Sequence, residues 1–565
     1  MVNVTLENHA QNWHAIDWRK ANRVVRNLRR RIFRATREGN YKKVRGLQKL
    51  LLKSYSNLVL AIRRVTQESQ GKKTAGVDNR VALTPKERWG LVEQLQALNS
   101  ITTPPTRRIE IPKSNGKKRP LGIPTIVDRA RQAIVKNTLE PHWEALFEPY
   151  SYGFRPGRCA QDAISRIHDN VRETRNIPPK KQWVVDADIK GCFDNIDHQF
   201  LMRVIGNFPA RKLINSWLKA GYVHEGNLYP TESGTPQGGV ISPLLANIAL
   251  HGLESALGVK YKWQKDKKCK RGGKYTNTSK RTVVRYADDF VILCETKEDA
   301  ELAKQEANAF LHERGLHLSE EKTKIRHITE GFDYLGFNIR RYQDHCRKTN
   351  YITLIKPSKE KIKEVKTKLR EVWLKMVGST VNNLVGKINP IIRGWANYYK
   401  SVSSKETFSN LDNWMFKRET RFTNKRHPQK TKGWKVNQYF GRLNPDRPNE
   451  KWMFGNKQTG AYILMFKHTP IVRHRCVPHD DSPDNPDPTV QETFKRRDAK
   501  EAKKLNKQKH KLAKKQNFTC QHCGESIFNG EPYDVHHIVP RKTGGSNHLN
   551  NLEILHRECH KARHG

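Results

Sequence analysis

The sequence predicts a multidomain α+β protein, and three observations indicate this class. First, the chain has 565 residues with 36% hydrophobic content, which is enough for several packed domains. Second, residues 285–293, Arg-Tyr-Ala-Asp-Asp-Phe-Val-Ile-Leu, place two carboxylates between segments typical of β-strands, whereas the sequence from about residue 351 is helical and basic. Third, Cys520, Cys523 and Cys559 fall in the C-terminal segment, as in a small metal-stabilised module.

The charge balance predicts a nucleic-acid partner. The chain carries 106 Lys and Arg residues against 56 Asp and Glu residues, a net charge of +50, so its surface attracts a polyanion. A membrane surface is the competing polyanion, but the sequence has no run of about 18 apolar residues, and its N-terminus lacks the basic-then-apolar order of a signal peptide. The scattered cysteines indicate a reducing compartment. We therefore expect a soluble, cytoplasmic protein with no membrane partner.

The N-terminal region is strongly basic. Residues 19–53 hold fourteen Lys or Arg residues and one acid, Glu38, with apolar residues at roughly helical spacing. This pattern predicts basic amphipathic helices. A solvated charged face is the plain alternative, but the shortage of acids leaves the arginines without local partners. An RNA-facing surface is therefore favoured.

Two segments before the first carboxylate strand predict binding elements. Residues 107–124 indicate a strand, an Asn-Gly turn and a second strand, with cations near the turn that could clamp a triphosphate and template. Arg119 is predicted to face inward, although a surface hairpin with solubilising lysines is the alternative. Residues 151–158 form a loop rich in Gly and Arg, and a helix is predicted from about residue 159 to 168.

Acidic residues follow or interrupt predicted strands at two places. Residues 183–198 indicate a strand that ends at Asp188, and a tight hairpin would hold Asp288 and Asp289 at a turn. An ordinary acidic turn is the alternative. Carboxylates brought together from distant parts of a chain are what a two-metal phosphoryl-transfer site requires. Asp186 and Asp194 suit this role less well, because strand alternation and helical placement direct them elsewhere.

Several motifs in order resemble the maturase and reverse transcriptase proteins encoded by group II introns. They are Arg-Pro-Leu-Gly-Ile-Pro at 119–124, Tyr-Gly-Phe-Arg-Pro-Gly-Arg at 152–158, Asp-Ile-Lys-Gly-Cys-Phe-Asp-Asn-Ile-Asp-His at 188–198, Gly-Thr-Pro-Gln-Gly-Gly-Val-Ile-Ser-Pro-Leu-Leu-Ala-Asn at 234–247, Tyr-Ala-Asp-Asp at 286–289, Leu-Ser-Glu-Glu-Lys-Thr at 318–323 and Phe-Asp-Tyr-Leu-Gly-Phe at 332–337. The resemblance implies a right-hand polymerase, with fingers and a palm built on an antiparallel sheet and an α-helical thumb, also called domain X.

The resemblance also assigns residues to the polymerase site. Asp188, Asp288 and Asp289 would bind the two Mg²⁺ ions of the palm. Phe193 would be the aromatic gate that excludes a ribose 2′-hydroxyl, although core packing is the more common role of a phenylalanine. The expected substrate-binding residues are Phe193, Gln237, Arg119 and Lys322.

The cysteine-rich C-terminal segment predicts a structural zinc site. The C-x-x-C and H-x-x-C spacings suit tetrahedral Zn²⁺, and a module of about fifty residues gains much of its stability from a metal. The expected ligands are Cys520, Cys523, His556 and Cys559. Because the HNH endonucleases that this segment resembles usually have cysteine where His556 stands, the sequence leaves open whether His556, His560 or His522 completes the site.

The same segment resembles an HNH endonuclease with a ββα-metal fold. By that resemblance His537 is the general base for water, and His536 and His560 bind a catalytic Mg²⁺ or similar ion. Asn551 would orient the loop that carries the base. A zinc knuckle with a purely structural role is the alternative, but His-His, Asn and Cys-His occur in the nuclease order.

These assignments divide the chain into five parts. Residues 1–80 would be a basic extension of the fingers, 81–350 the fingers and palm, and 351–475 the thumb. Residues 476–515 would be a linker, acidic and proline-rich at 479–494, and a basic DNA-binding segment, and 516–565 the HNH endonuclease. We expect a bacterial protein that binds its intron RNA, assists splicing, nicks target DNA, reverse transcribes the intron from dNTPs and associates with the nucleoid when on DNA. The alternatives are an RNA-binding splicing cofactor and a reverse transcriptase of the retron or defence type.

Overall fold

The computed structural model describes residues 12–97, 101–112, 116, 118–173, 177, 179–265, 273–478 and 481–564. No helix among these residues is long and apolar enough to cross a membrane. Helices and strands are both well represented, which confirms the predicted α+β class. The Asn-Gly turn predicted within residues 107–124 includes positions outside the described residues.

The elements are numbered in chain order. The helices are α1 Trp18–Arg37, α2 Tyr41–Leu52, α3 Tyr55–Arg63, α4 Pro85–Ala97, α5 Ile126–Leu146, α6 Ala160–Val171, α7 Cys192–Asn195, α8 His198–Ile205, α9 Arg211–Leu218, α10 Ser242–Ala249, α11 Leu253–Ala256, α12 Lys297–His312, α13 Lys359–Lys375, α14 Val381–Tyr399, α15 Lys405–Arg426, α16 Lys432–Tyr439, α17 Pro488–Ala502, α18 Lys507–Lys515 and α19 Arg557–Arg563. The strands are β1 Thr106–Pro112, β2 Lys118–Ile123, β3 Trp183–Asp188, β4 Tyr222–His224, β5 Asn227–Tyr229, β6 Tyr261–Lys265, β7 Gly273–Asn277, β8 Thr282–Tyr286, β9 Asp289–Cys294, β10 Lys324–His327, β11 Phe332–Tyr334, β12 Phe337–Gln343, β13 Tyr351–Pro357, β14 Phe440–Gly441, β15 Met453–Asn456, β16 Ala461–Tyr462, β17 Tyr533–His537 and β18 Leu552–His556.

An antiparallel sheet with the order β10-β3-β9-β8 lies at the centre of the chain. Strand alternation sends Val185 and Ile292 into a core shared with α8, α10 and α12, and sends Val184 and Val291 into a second core shared with α6 and α13. Both faces of the sheet are therefore covered. The ends of its strands can still present polar groups, and Asp188 stands at one such end.

The basic N-terminal region forms the predicted amphipathic helices. In α1, Val25, Leu28 and Ile32 are buried against α2, which accounts for the apolar spacing. The expectation that its arginines lack partners holds only locally, because Arg29 pairs with Glu140 of α5 at 2.8 Å and with Asp484 at 2.6 Å. Some of this charge therefore stabilises the fold and is not offered to RNA.

The segment expected to be a linker, residues 479–494, is packed against the rest of the fold in its described part. Asp481 and Ser482 are fully buried, and Asp484 makes the ion pair with Arg29. Pro488 then begins α17, since proline suits the first position of a helix. Residues 479 and 480 lie outside the described residues. The acidic, proline-rich composition suggested a loop, but its carboxylate is fixed by a distant arginine.

The C-terminal module has the predicted order of two strands followed by a helix. Strands β17 and β18 pair antiparallel from Tyr533 with His556 to His537 with Leu552, and α19 follows directly. Its cysteines share a core with Trp18 of α1 and Ile62 of α3. The module is thus packed on the N-terminal helices rather than standing apart.

Candidate active sites

The hairpin formed by β8 and β9 places the paired acids at a turn, as the sequence predicted. Tyr286 pairs with Asp289, which leaves Ala287 and Asp288 as the two turn residues. On the other side of β9, Asp188 is the direct cross-strand neighbour of Asp289. The structure therefore brings all three predicted carboxylates together at the adjoining ends of β3, β8 and β9.

Burial and mutual repulsion make these carboxylates reluctant to ionise together. Burial, followed by the charges of Asp288 and Asp188, raises the pKa of Asp289 to about 7. The pKa of Asp288 is also raised, mainly by burial. The Lys322 ammonium lies 2.7 Å from an Asp188 carboxylate oxygen and partly balances the charge. A crowded carboxylate set that protein cations neutralise only in part is a suitable site for Mg²⁺, which prefers oxygen ligands.

A chain of hydrogen bonds joins the other predicted polar residues. Arg119 of β2 donates to the side-chain oxygen of Gln237 at 2.9 Å, and the Gln237 amide donates to Asp194 at 3.2 Å. Arg119 and Gln237 are thus held beside α7, which contains Asp194. The expectation that Asp194 is not a principal metal ligand stays a prediction.

Phe193 is buried in α7, with 7% of its surface exposed. Its ring meets the edge of Phe154 with ring centres 6.2 Å apart, and Phe154 is half exposed. Gly234 approaches the Phe193 carbonyl so closely that a Cβ there would lie 2.6 Å from it. The ring of Phe193 is therefore part of the core. Phe193 also stands five residues after Asp188, and its role as a gate stays a prediction.

In the C-terminal module, Cys520, Cys523, His556 and Cys559 form a buried cluster whose ligand atoms all lie within 4.8 Å of one another. The His556 Nε2 atom donates to the Ser526 carbonyl at 3.1 Å, so Nδ1 faces the cysteines. Three thiols and one imidazole are the donor set of a structural zinc site. Of the three histidines that the sequence left open, the structure places His556 in this cluster.

A second cluster contains the imidazoles of His536, His560 and His564, again with ligand atoms within 4.8 Å. Burial and the neighbouring imidazoles lower the pKa of His536 to about 4, so its ring is neutral and can offer a lone pair. His564, the residue directly after α19, was not indicated by the motifs. Its spacing of four residues from His560 was the available signal, because residues four apart share one face of a helix.

His537 is the last residue of β17, and Asn551 lies directly before β18. The His537 Nε2 atom lies 2.9 Å from the Asn547 side-chain oxygen, a partner that the motifs did not indicate. Asn551 accepts a hydrogen bond from the Val539 backbone at 2.7 Å and donates to the Val539 and Ser546 carbonyls at 3.0 and 2.8 Å. Asn551 thus closes the loop that follows His537.

Four family models match consecutive parts of the chain. They are the N-terminal domain of reverse transcriptase at 13–95, reverse transcriptase (RNA-dependent DNA polymerase) at 111–339, the maturase-specific domain of group II introns at 362–440 and the HNH endonuclease at 520–565. Protein YkfC of Escherichia coli is 34% identical over 323 residues, which are 52% of this chain and 84% of YkfC. The chain belongs to the group II intron-encoded reverse transcriptases.

Other relatives of this reverse transcriptase carry intron-related names. The group II intron-encoded protein LtrA of Lactococcus lactis subsp. cremoris is 37% identical over 287 residues, and the alignment spans 42% of this chain and about half of LtrA, 47%. Maturase-like protein 1 of Euglena gracilis is 26% identical over 388 residues, which are 68% of this chain and 76% of that protein. The reverse transcriptase, maturase and HNH parts expected from the sequence are therefore all present, in the expected order.

Proposed function

We propose that this protein is an RNA-directed DNA polymerase whose active site is the carboxylate cluster of Asp188, Asp288 and Asp289. The proposal rests on the position of these three acids together at adjoining strand ends. Asp289 has a raised pKa there, and the Lys322 ammonium forms an ion pair with Asp188. Such a site lowers its electrostatic cost by binding divalent cations. The central sheet would be the palm, and β1 with β2 would belong to the fingers of a right-hand polymerase.

The three carboxylates would hold two Mg²⁺ ions, which activate a primer 3′-hydroxyl and stabilise the leaving pyrophosphate. Lys322, released from Asp188, would donate to the triphosphate of the incoming dNTP. Arg119 and Gln237, already joined by a hydrogen bond, would shape the pocket for the nascent base pair. Phe193 would limit the space beside the sugar.

The maturase-specific region would bind intron RNA and assist splicing. A groove of about 370 Å³ between α13 and α15 is lined by cations and one indole ring, a combination that suits phosphate and base contact. Its lining residues are Lys359, Ile362, Lys363, Lys366, Thr367, Arg370, Trp414 and Arg418. This region would also serve as the thumb on the template and primer.

The C-terminal module would nick one strand of target DNA and so supply a primer. His537, oriented by Asn547, would take the proton from the attacking water. His536, His560 and His564 would hold the nuclease metal, and the Cys520, Cys523, His556 and Cys559 cluster would hold a structural Zn²⁺. Together with splicing and reverse transcription, this activity describes retrohoming by target-primed reverse transcription.

The polymerase proposal is tested by cDNA synthesis with purified protein, Mg²⁺, an annealed primer on an RNA template and dNTPs. Asp288→Asn is expected to reduce synthesis by at least about a thousandfold, since it removes a charge needed in the transition state. The matched control is Glu301→Gln, which changes an exposed carboxyl of α12. Unchanged synthesis by Asp288→Asn would exclude this site. A splicing cofactor without polymerase activity would give no cDNA even as the parent protein.

The nuclease assignment is tested by nicking of the DNA target by the protein bound to intron RNA. His537→Ala is expected to lose nicking and to retain cDNA synthesis on a supplied primer. His548→Ala is the control, because His548 is an exposed histidine of the same loop. Nicking by His537→Ala at the parent rate would remove His537 from the role of base.

A further inference from the structure

The Cys/His cluster of the C-terminal module faces the N-terminal helices of the reverse transcriptase. Cys520, Cys523 and Cys559 are at most 2% exposed, and they share a hydrophobic core with Trp18 of α1 and Ile62 of α3. These helices lie within the region matched as the N-terminal domain of reverse transcriptase. The boundary between the two modules is thus a continuous packed core. The metal cluster lies inside this core and not on the far side of the nuclease.

Arg63, the last residue of α3, makes the central polar contact. Its Nη2 atom donates to the Cys559 sulfur at 2.9 Å, and its Nε atom lies 3.1 Å from the Glu68 carboxylate. The guanidinium carbon also lies 4.7 Å from the centre of the Trp18 ring. With 4% of its surface exposed, Arg63 is a buried cation aimed at a metal-ligand sulfur.

Charge explains why a cation is placed there. Zn²⁺ bound by three thiolates and one neutral imidazole carries a net charge of −1, and an uncompensated buried charge is costly. A charged N–H donor on a thiolate offsets that cost and orients the ligand. Arg63, which belongs to the N-terminal helices, therefore supplies the positive charge and the N–H donor that the metal site of the nuclease module needs.

Three further contacts hold both halves of the cluster. Asn22 of α1 donates to the Cys523 carbonyl at 3.3 Å, and Arg26 of α1 pairs with Glu525 at 2.6 Å, so α1 fixes the Cys520–Cys523 loop. Lys72 pairs with Glu558, the neighbour of Cys559, at 3.4 Å. Each cysteine-bearing segment thus has its own anchor on the N-terminal region.

We propose that the zinc site of the nuclease module is also the joint that fixes this module to the N-terminal helices, with Arg63 as its positioning residue. The inference rests on the proposed zinc occupancy of the cluster. It extends the role of the metal from folding a small module to coupling two modules. Loss of zinc would then loosen α1 and α3 as well as the nuclease.

The test measures zinc release with a colorimetric chelator and amide hydrogen exchange on the full-length protein, before and after chelation. Chelation is expected to speed exchange about tenfold or more in peptides from α1 and α3 and to leave α12 unchanged. Arg63→Ala is expected to speed zinc release and to loosen the same peptides, whereas Arg63→Lys retains part of the protection. Arg557→Ala is the control, since Arg557 is exposed and pairs with Asp534 inside the module.

The possible failures are distinguishable. If the purified protein contains no zinc and takes up none, the proposed metal site fails, and the joint fails with it. If zinc is present and its removal speeds exchange only in β17, β18 and α19, the zinc site stands and the joint is excluded. Because chelation tests the parent protein, a folding defect in Arg63→Ala cannot decide the result alone.

Discussion

At the scale of a single residue, Arg285 stabilises the turn formed by Ala287 and Asp288. Its guanidinium donates to the Ala287 carbonyl at 3.1 Å, to the Asn247 side chain at 3.0 Å and to the Ser151 hydroxyl at 2.7 Å. Ala287 has φ of 59°, a conformation that is uncommon for residues other than glycine. Gly153 lies against this turn so closely that a Cβ would come within 2.2 Å of the Ala287 nitrogen. A buried arginine thus stabilises an unusual backbone directly before Asp288.

Arg285→Lys is expected to reduce kcat for cDNA synthesis by about ten- to a hundredfold with a smaller change in KM for dNTP. A lysine retains the charge, but its ammonium cannot make the same three hydrogen bonds as the planar guanidinium. A resulting shift of about 1 Å at a reacting group lowers the rate by a factor of this order. Steady-state kinetics at saturating primer and template measures both constants. The control is Arg281→Lys, which changes an arginine of the loop before β8 that pairs with Asp299. An unchanged kcat for Arg285→Lys would show that the turn does not depend on Arg285.

The sequence could locate Asp188, Asp288 and Asp289 because each stands at a strand end or turn, and local pattern determines both. It could not show that Lys322 contacts Asp188, since 134 residues separate them and only the folded sheet brings them together. Arg285 was visible only as the residue before the Tyr-Ala-Asp-Asp motif. Its partners come from two other motifs, so its role is a property of tertiary structure.

At the scale of an element, α15 carries a buried carboxyl that should make its stability depend on pH. Glu419 is 7% exposed, and burial, with the charge of Asp412 as second cause, raises its pKa to about 8 from an ordinary value of 4.5. Between these two values the folded state holds a proton that the unfolded state has released. Stability therefore falls as pH rises through this window and is fully present below it.

Glu419→Gln is expected to stabilise the protein at pH 8 by about 4 kcal/mol and to have little effect near pH 4.5. The amide is neutral at both values, so the cost of ionising a buried group disappears. Thermal unfolding at the two pH values measures the difference. Glu406→Gln, which changes an exposed carboxyl of the same helix, should leave the stability unchanged at both pH values. An equal effect of Glu419→Gln at both pH values would contradict the titration of Glu419.

Elements with a clear local pattern were predictable, and those fixed by distant partners were not. The strands around residues 286–289 are short apolar runs that flank the turn, and α6 begins at Ala160 after the predicted loop. The supposed linker has the composition of a loop, but Asp484 is fixed by Arg29, 455 residues away. Composition reports the local preference of a segment and cannot report such a partner.

At the scale of the whole molecule, the motif order predicted which modules are present but not how they pack. Cys520 and Cys523 indicated a metal module from their spacing alone. The contact of Arg63 with Cys559 joins residues 496 positions apart, and no local pattern encodes it. The net charge of +50 likewise predicted a polyanion without assigning a surface to it. The groove between α13 and α15 is the surface that we select for a test.

Lys363→Ala combined with Lys366→Ala is expected to weaken intron RNA binding and to make it less dependent on salt. If each lysine neutralises one phosphate, the slope of log affinity against log salt should fall by about 1.4 in magnitude for single-stranded contacts. Filter binding from low to high salt gives the slope. Lys297→Ala combined with Lys304→Ala removes the same charge from α12, outside the groove, and should leave the slope close to that of the parent. Equal slopes for both double variants would mean that net charge alone, and not this groove, determines RNA binding.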